Sequence, residues 1–181
     1  MKKAAWDMKN KHIRNLVFSG VLLALGMVLP LATAQIKEIG DSLLPMHFPV
    51  LLCGLLCGWR WGLPVGLVLP FLRSLVFGMP PVYPNAVWMA AELAAYGAVA
   101  GLLYALLRVR GRVYFALIGA QLSGRIVWGA VKAILLGIKE TDFPFSAFLI
   151  GGFVDAIPGI LLQLLLLPPV FMLLRGEGKT V

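Results

Sequence analysis

Charged side chains are scarce in this chain: they make up 13% of its 181 residues, and the eight acids are half as numerous as the sixteen Lys and Arg. So little charge excludes an ordinary soluble domain. Cysteine is nearly missing too. Cys53 and Cys57 lie four apart inside an apolar run, so they build no disulfide framework and lack the further ligands of a zinc site; a buried-thiol role fits them. Catalytic signatures are wanting. Gly176-Glu177-Gly178-Lys179-Thr180 imitates the end of a phosphate loop, but Leu173 stands where the first glycine belongs and no strand is expected before it. There is no zinc-protease His pair with an intervening Glu and no Ser in a strand-to-helix elbow. The chain has no evident way to hydrolyse ATP, and no cofactor is expected. If it concentrates a solute, the energy comes from an ion gradient or a partner.

What the chain has is apolar length. Hydrophobic residues make up 60% and the mean hydropathy is +0.91, which predicts an all-α integral membrane protein in one domain, residues 1–181. The formal charge of +8 is spread in short segments flanking apolar runs rather than in one patch with interleaved aromatics. That is topology and not a nucleic-acid footprint. Six spans are expected at about 16–34, 43–58, 62–77, 83–107, 113–137 and 146–174. Placing the N-terminus in the cytoplasm puts eleven basic residues inside (Lys2, Lys3, Lys9, Lys11, Arg14, Arg60, Arg108, Arg110, Arg112, Arg175, Lys179) and leaves only Lys37 and Lys139 outside. Both termini are then cytoplasmic. The basic start and Ala32-Thr33-Ala34 also resemble a secretory signal with a cleavage site, which would leave five spans; the charge balance favours retention of the first. Spans two and three are short, and Trp59 and Trp61 between them read as interfacial anchors.

Small residues recur four apart: Gly54 and Gly58, Gly62 and Gly66, Gly97 and Gly101, Gly20 and Ala24. Such pairs let helix backbones approach in lipid. The first three suit packing inside the bundle, and Gly20 with Ala24 suits a surface for another membrane subunit.

Five ionisable residues fall within the expected spans: Arg73, Glu92, Arg125, Lys132 and Asp155. Charge in hydrocarbon persists where it faces protein, a partner charge or a water-filled cavity. Asn85, Trp88, Glu92 and Tyr96 share one helical face, and Arg125, Trp128 and Lys132 repeat the three-and-four spacing on the next span. With Tyr83 and Asp155 they would line an outward-facing pocket with aromatic walls and a few orienting polar groups, the ingredients of a small-molecule site. The alternative is that Glu92 and Asp155 pair with Arg125 and Lys132 to hold helices together. His47, next to Pro49, reads as a helix-end residue. A lone proton-coupled transporter with Glu92 or Asp155 as proton carrier, and a membrane-embedded enzyme using the same carboxylates, are the competing classes.

Several strings resemble a known family. Leu44-Pro45-Met46-His47-Phe48-Pro49-Val50-Leu51-Leu52-Cys53-Gly54, Arg73-Ser74-Leu75-Val76-Phe77-Gly78-Met79-Pro80-Pro81, and Glu92-Leu93-Ala94-Ala95-Tyr96-Gly97, together with the size and the six expected spans, look like the substrate-binding S components of energy-coupling factor (ECF) vitamin transporters. The family usually has Ala at both small positions of the first helix; Gly20 stands at the first here. The resemblance implies binding of a water-soluble vitamin or precursor from outside, with Gln35 to Ser42 as a lid and Gly78 to Pro84 as a second binding loop. It also implies toppling against a transmembrane coupling subunit docked at Gly20 and Ala24, driven by two cytoplasmic ATPases, in a bacterial cell membrane. The central strings look most like the branch linked to α-ribazole, a cobalamin precursor. A net positive pocket would suit pantothenate or another carboxylate as well.

Overall fold

The computed structural model describes residues 2–33, 44–138 and 144–176, and among the described residues there is no strand. The helices are α1 (Lys2–Thr33), α2 (His47–Cys57), α3 (Trp59–Phe77), α4 (Val87–Leu106), α5 (Arg112–Ile138), α6 (Phe145–Leu149) and α7 (Ile157–Gly176). Wider, irregular turns at Val82–Ala86 and Ile150–Val154 lead towards α4 and α7. The lid expected at Gln35 to Ser42, the connection carrying Lys139, Glu140 and Asp142, and the tail from Glu177 lie outside the described residues.

Among the described residues four stretches are long and apolar enough to cross a bilayer: Asn10–Leu31, Trp59–Phe77, Val82–Leu106 and Ile150–Arg175. α2 is apolar but has only 11 residues, about 16 Å of helix, short of a hydrocarbon core of roughly 30 Å. α5 has 27 residues but carries Arg125 and Lys132. The continuous segment expected over 146–174 is interrupted. Gly151 and Gly152 fall in the irregular turn that separates α6 from α7, and Pro158 follows in the first turn of α7, where a missing N–H costs nothing.

α4 is the centre of the bundle and packs on α2, α3 and α5. The reason is glycine. A Cβ on Gly97 would run into the backbone of Gly62, and one on Gly54 or Gly62 into the carbonyl of Gly97. Gly101 sits equally close to the backbone of Gly54, Gly58 and Trp59. Lipid tails are as apolar as Leu, so helices gain by close van der Waals contact, which bare backbones permit. Gly58 also makes the turn between α2 and α3: its φ of +89° suits a residue without Cβ, and its N–H donates to the carbonyl of Gly54 at 3.0 Å.

Around this junction lie fully buried Val50, Leu51, Leu69, Leu93, Leu117 and Leu167. α1 packs on α2 and α3 through Ser19, Leu22 and Gly26, spaced three and four, and turns Val17, Val21, Leu25 and Val28 outward. Gln121 on α5 donates to Gln163 on α7 at 3.1 Å.

Candidate functional site

Glu92 sits just over one turn into α4 and is 2% exposed. Its Oε1 lies 2.9 Å from Nη1 of Arg125 on α5 and 3.4 Å from Nε2 of His47, the first residue of α2. The Arg125 contact is one of charge more than direction, because no N–H of the guanidinium is aligned for a hydrogen bond with that oxygen. Tyr96, one turn below Glu92, meets the His47 ring edge-on at 4.9 Å. Gly124 leaves room for the Tyr96 ring, which a Cβ there would strike at 2.7 Å. Three helices thus contribute to one buried cluster of acid, base, imidazole and phenol.

Several of its polar atoms are unsatisfied among the described residues. Oε1 of Glu92, Nε and Nη2 of Arg125 and both ring nitrogens of His47 are buried without a hydrogen-bond partner. Buried polar groups are ordinarily paired, so the cluster has hydrogen-bonding capacity that the protein does not use.

A second layer lies on the same helix faces. Nζ of Lys132 is 5.4 Å from the centre of the Trp88 ring and 4.6 Å from that of Trp128, the arrangement of a cation over aromatic faces. Trp128 in turn stacks on Phe148 of α6 at 6.3 Å, and Gly151 and Gly152 face its ring, where a Cβ on Gly151 would be tight at 3.3 Å and one on Gly152 in ordinary contact. The interruption before α7 therefore brings bare backbone up to Trp128. Trp88 and Lys132 are half-buried.

The structure brings together Glu92, Tyr96 and Arg125 in the lower layer and Trp88, Trp128 and Lys132 in the upper one. Asn85 is half-buried in the turn leading into α4. Tyr83 is exposed in that turn with an extended backbone, φ −124° and ψ 132°. Arg73 is elsewhere engaged: its Nε donates to the carbonyl of Met79 at 3.2 Å and its Nη1 to that of Met27 at 3.4 Å, tying the loop after α3 to α1. Asp155 is exposed in the turn before α7 and forms no ion pair among the described residues; the Gly151-Gly152 break redirects the chain there. His47 is the residue that sequence reasoning passed over. It does begin a helix, but its partner is Glu92, a long-range contact that no local pattern signals.

Gly20 and Ala24 lie on the exposed face of α1, with nothing within 4 Å of a Cβ placed on Gly20. Cys53 is buried, Cys57 partly so, and both are free. No group of three potential metal ligands occurs among the described residues.

The family model described as ECF transporter, substrate-specific component, matches residues 14–171. No curated protein and no solved structure matches the chain.

Proposed function

The chain belongs to the substrate-specific components of ECF transporters, a multi-pass membrane family of transporter subunits and not of enzymes, and from that premise we propose that it binds a water-soluble vitamin precursor, with α-ribazole as the best-fitting candidate. In this reading it spans a bacterial cytoplasmic membrane six times as a single domain with both termini inside, α5 and the short α2 supplying the spans beyond the four long apolar ones, with the bilayer thinned locally at α2. Substrate enters from outside. Delivery follows by toppling against a coupling subunit docked at Gly20 and Ala24, powered by two cytoplasmic ATPases.

The observation that carries the reading is the two-layer arrangement: an aromatic and cationic layer of Trp88, Trp128 and Lys132 over a buried Glu92–Arg125–His47 cluster with unused hydrogen-bonding atoms. Tryptophan faces suit a flat benzimidazole ring, and the unused N–H groups of Arg125 suit ring-nitrogen or ribose acceptors. Tyr83 and Asn85, on the turn before α4, would add side chains to this site, while Arg73 fixes the loop after α3 through the carbonyl of Met79. A carboxylate such as that of pantothenate would have to share Arg125 with Glu92, leaving Lys132 as its main cation. That favours the neutral heterocycle.

Thermal shift of the purified protein with α-ribazole, pantothenate and other water-soluble vitamins tests the substrate, since a ligand held only by the folded state raises the melting temperature. A shift with α-ribazole at micromolar concentration is expected. A shift with pantothenate alone would replace the substrate assignment. Uptake by cells with and without the ATPases and coupling subunit tests the mechanism. Transport that survives loss of the ATPases and stops with a proton uncoupler would show a lone gradient-driven carrier instead.

A further inference from the structure

At the opposite end of α4 from Glu92, three helices bring two guanidinium groups to a single aromatic ring. Arg112, the first residue of α5, lies 4.2 Å from the centre of the Tyr104 ring, and Arg175, near the end of α7, lies 5.4 Å from it. The two cations can be no farther apart than those distances together allow. Tyr104 itself is fixed edge-on against Phe171 at 5.0 Å, and Phe171 is 3% exposed. Arg175 also lies 5.8 Å from the Phe171 ring. Arg108 and Arg110 stand exposed in the preceding turn.

Like charges repel, so two guanidiniums at one ring, at most about 10 Å apart, offer a place where an anion is favoured. Among the described residues neither has one. The described ion pairs are those of Glu92, which is committed to Arg125 and His47 and sits about 18 Å away along α4. Asp155 is about 30 Å from Arg175 along α7. The aromatic ring supplies only a weak, undirected attraction and leaves the planar N–H forks open.

We propose that this junction of α4, α5 and α7 binds the phosphate of an anionic phospholipid, gripped by Arg112 and Arg175. The position fits. The chain lies in a membrane, the site is at the helix ends where headgroups lie, and exposed apolar side chains at Leu106, Tyr114 and Phe115 offer a surface for acyl chains beside the cations. Arginine forks match phosphate oxygens two at a time. Basic clusters between helix ends are the established manner in which membrane proteins hold anionic headgroups. The inference is independent of the substrate assignment, because no residue of the Glu92 cluster takes part.

The test is native mass spectrometry of the purified full chain with added phosphatidylglycerol or phosphatidylcholine, for wild type, Arg112→Gln with Arg175→Gln, and Arg108→Gln with Arg110→Gln. Wild type is expected to retain phosphatidylglycerol over phosphatidylcholine. The first variant is expected to lose about tenfold in that retention and the second about twofold or less. Equal losses in the two variants would reveal undirected surface charge and overturn the site, as would an unchanged first variant. If millimolar inorganic phosphate displaces the lipid completely, the occupant is a soluble anion and the lipid assignment fails. Lipid retention unaffected by the first variant, with loss of the coupling subunit from the assembled transporter, would assign the surface to a protein partner. Arg112→Lys with Arg175→Lys keeps the charge without the fork and is expected to lose about threefold, so full retention there overturns the proposal even if the Gln pair does not fold.

Discussion

Glu92 and Arg125 face one another across the α4–α5 contact at 2.9 Å, each side chain 4% exposed or less. Two opposite charges withdrawn from solvent to this degree are mutually dependent. Either alone is a buried, uncompensated ion.

Arg125→Ala is therefore expected to destabilise the protein by about 3–5 kcal/mol, read as a lowered denaturation midpoint in detergent micelles. The joint change Glu92→Leu with Arg125→Met is expected to recover most of that loss, because it removes both charges at similar volume. A double variant as unstable as Arg125→Ala would show that the pair is not the unit of stability. Ligand binding should be lost in the double variant despite its recovered fold.

Trp88 is half-buried, and its ring stands over Lys132 without entering the core. Trp88→Ala is expected to weaken ligand binding about tenfold or more, near 1.4 kcal/mol, while shifting the melting temperature of the unliganded protein little. Isothermal titration calorimetry in detergent checks the first part and a thermal melt the second. Unchanged affinity would move the site away from this layer.

Two glycines should behave oppositely. Gly97→Ala places a methyl group against the backbone of Gly62, with no flexible side chain to give way, and is expected to cost several kcal/mol, on the order of an overpacked core. Gly20→Ala meets open space and is expected to be neutral or slightly stabilising through its better helix propensity. Thermal melts of the two variants side by side decide it.

Gly20→Leu combined with Ala24→Leu should leave ligand affinity unchanged, since both positions lie on the exposed face of α1 away from the Glu92 cluster. Uptake in cells carrying the whole transporter is expected to fall on the order of tenfold, because bulk at a small-residue face keeps helices apart. Normal uptake would place the coupling subunit on another surface.

How much was legible from the residues depends on the range of the interaction. The helix faces were legible: Trp88, Glu92 and Tyr96 on one span and Arg125, Trp128 and Lys132 on the next follow from spacing alone, and the structure sets those two faces against each other. Gly54, Gly62, Gly66, Gly97 and Gly101 were legible for the same reason, since a bare backbone at four-residue intervals lets helices approach in lipid; Gly58 instead serves the turn between α2 and α3, and a Cβ there would meet open space. Arg73 and Asp155 were not legible. Each is an ionisable residue in an apolar stretch, but Arg73 finds two backbone carbonyls of its surroundings and Asp155 falls in a turn produced by the break at Gly151 and Gly152.

Composition, apolar run length and helical periodicity are local quantities, so the chain's residues by themselves determined that it is helical, that it belongs in a membrane, and which side chains share a face. Partnership across helices depends on how those faces are rotated and how deeply the helices interlock, which no short window contains. Only the tertiary structure decided that His47 joins Glu92, that Arg73 pins a loop, and that Arg112 and Arg175 meet at Tyr104. His47 and Glu92, Arg73 and Met27, and Arg175 and Tyr104 are far apart in the chain, brought within reach by the close backbone approach at Gly54, Gly62 and Gly97 or by the return of α7 onto α2 and α5.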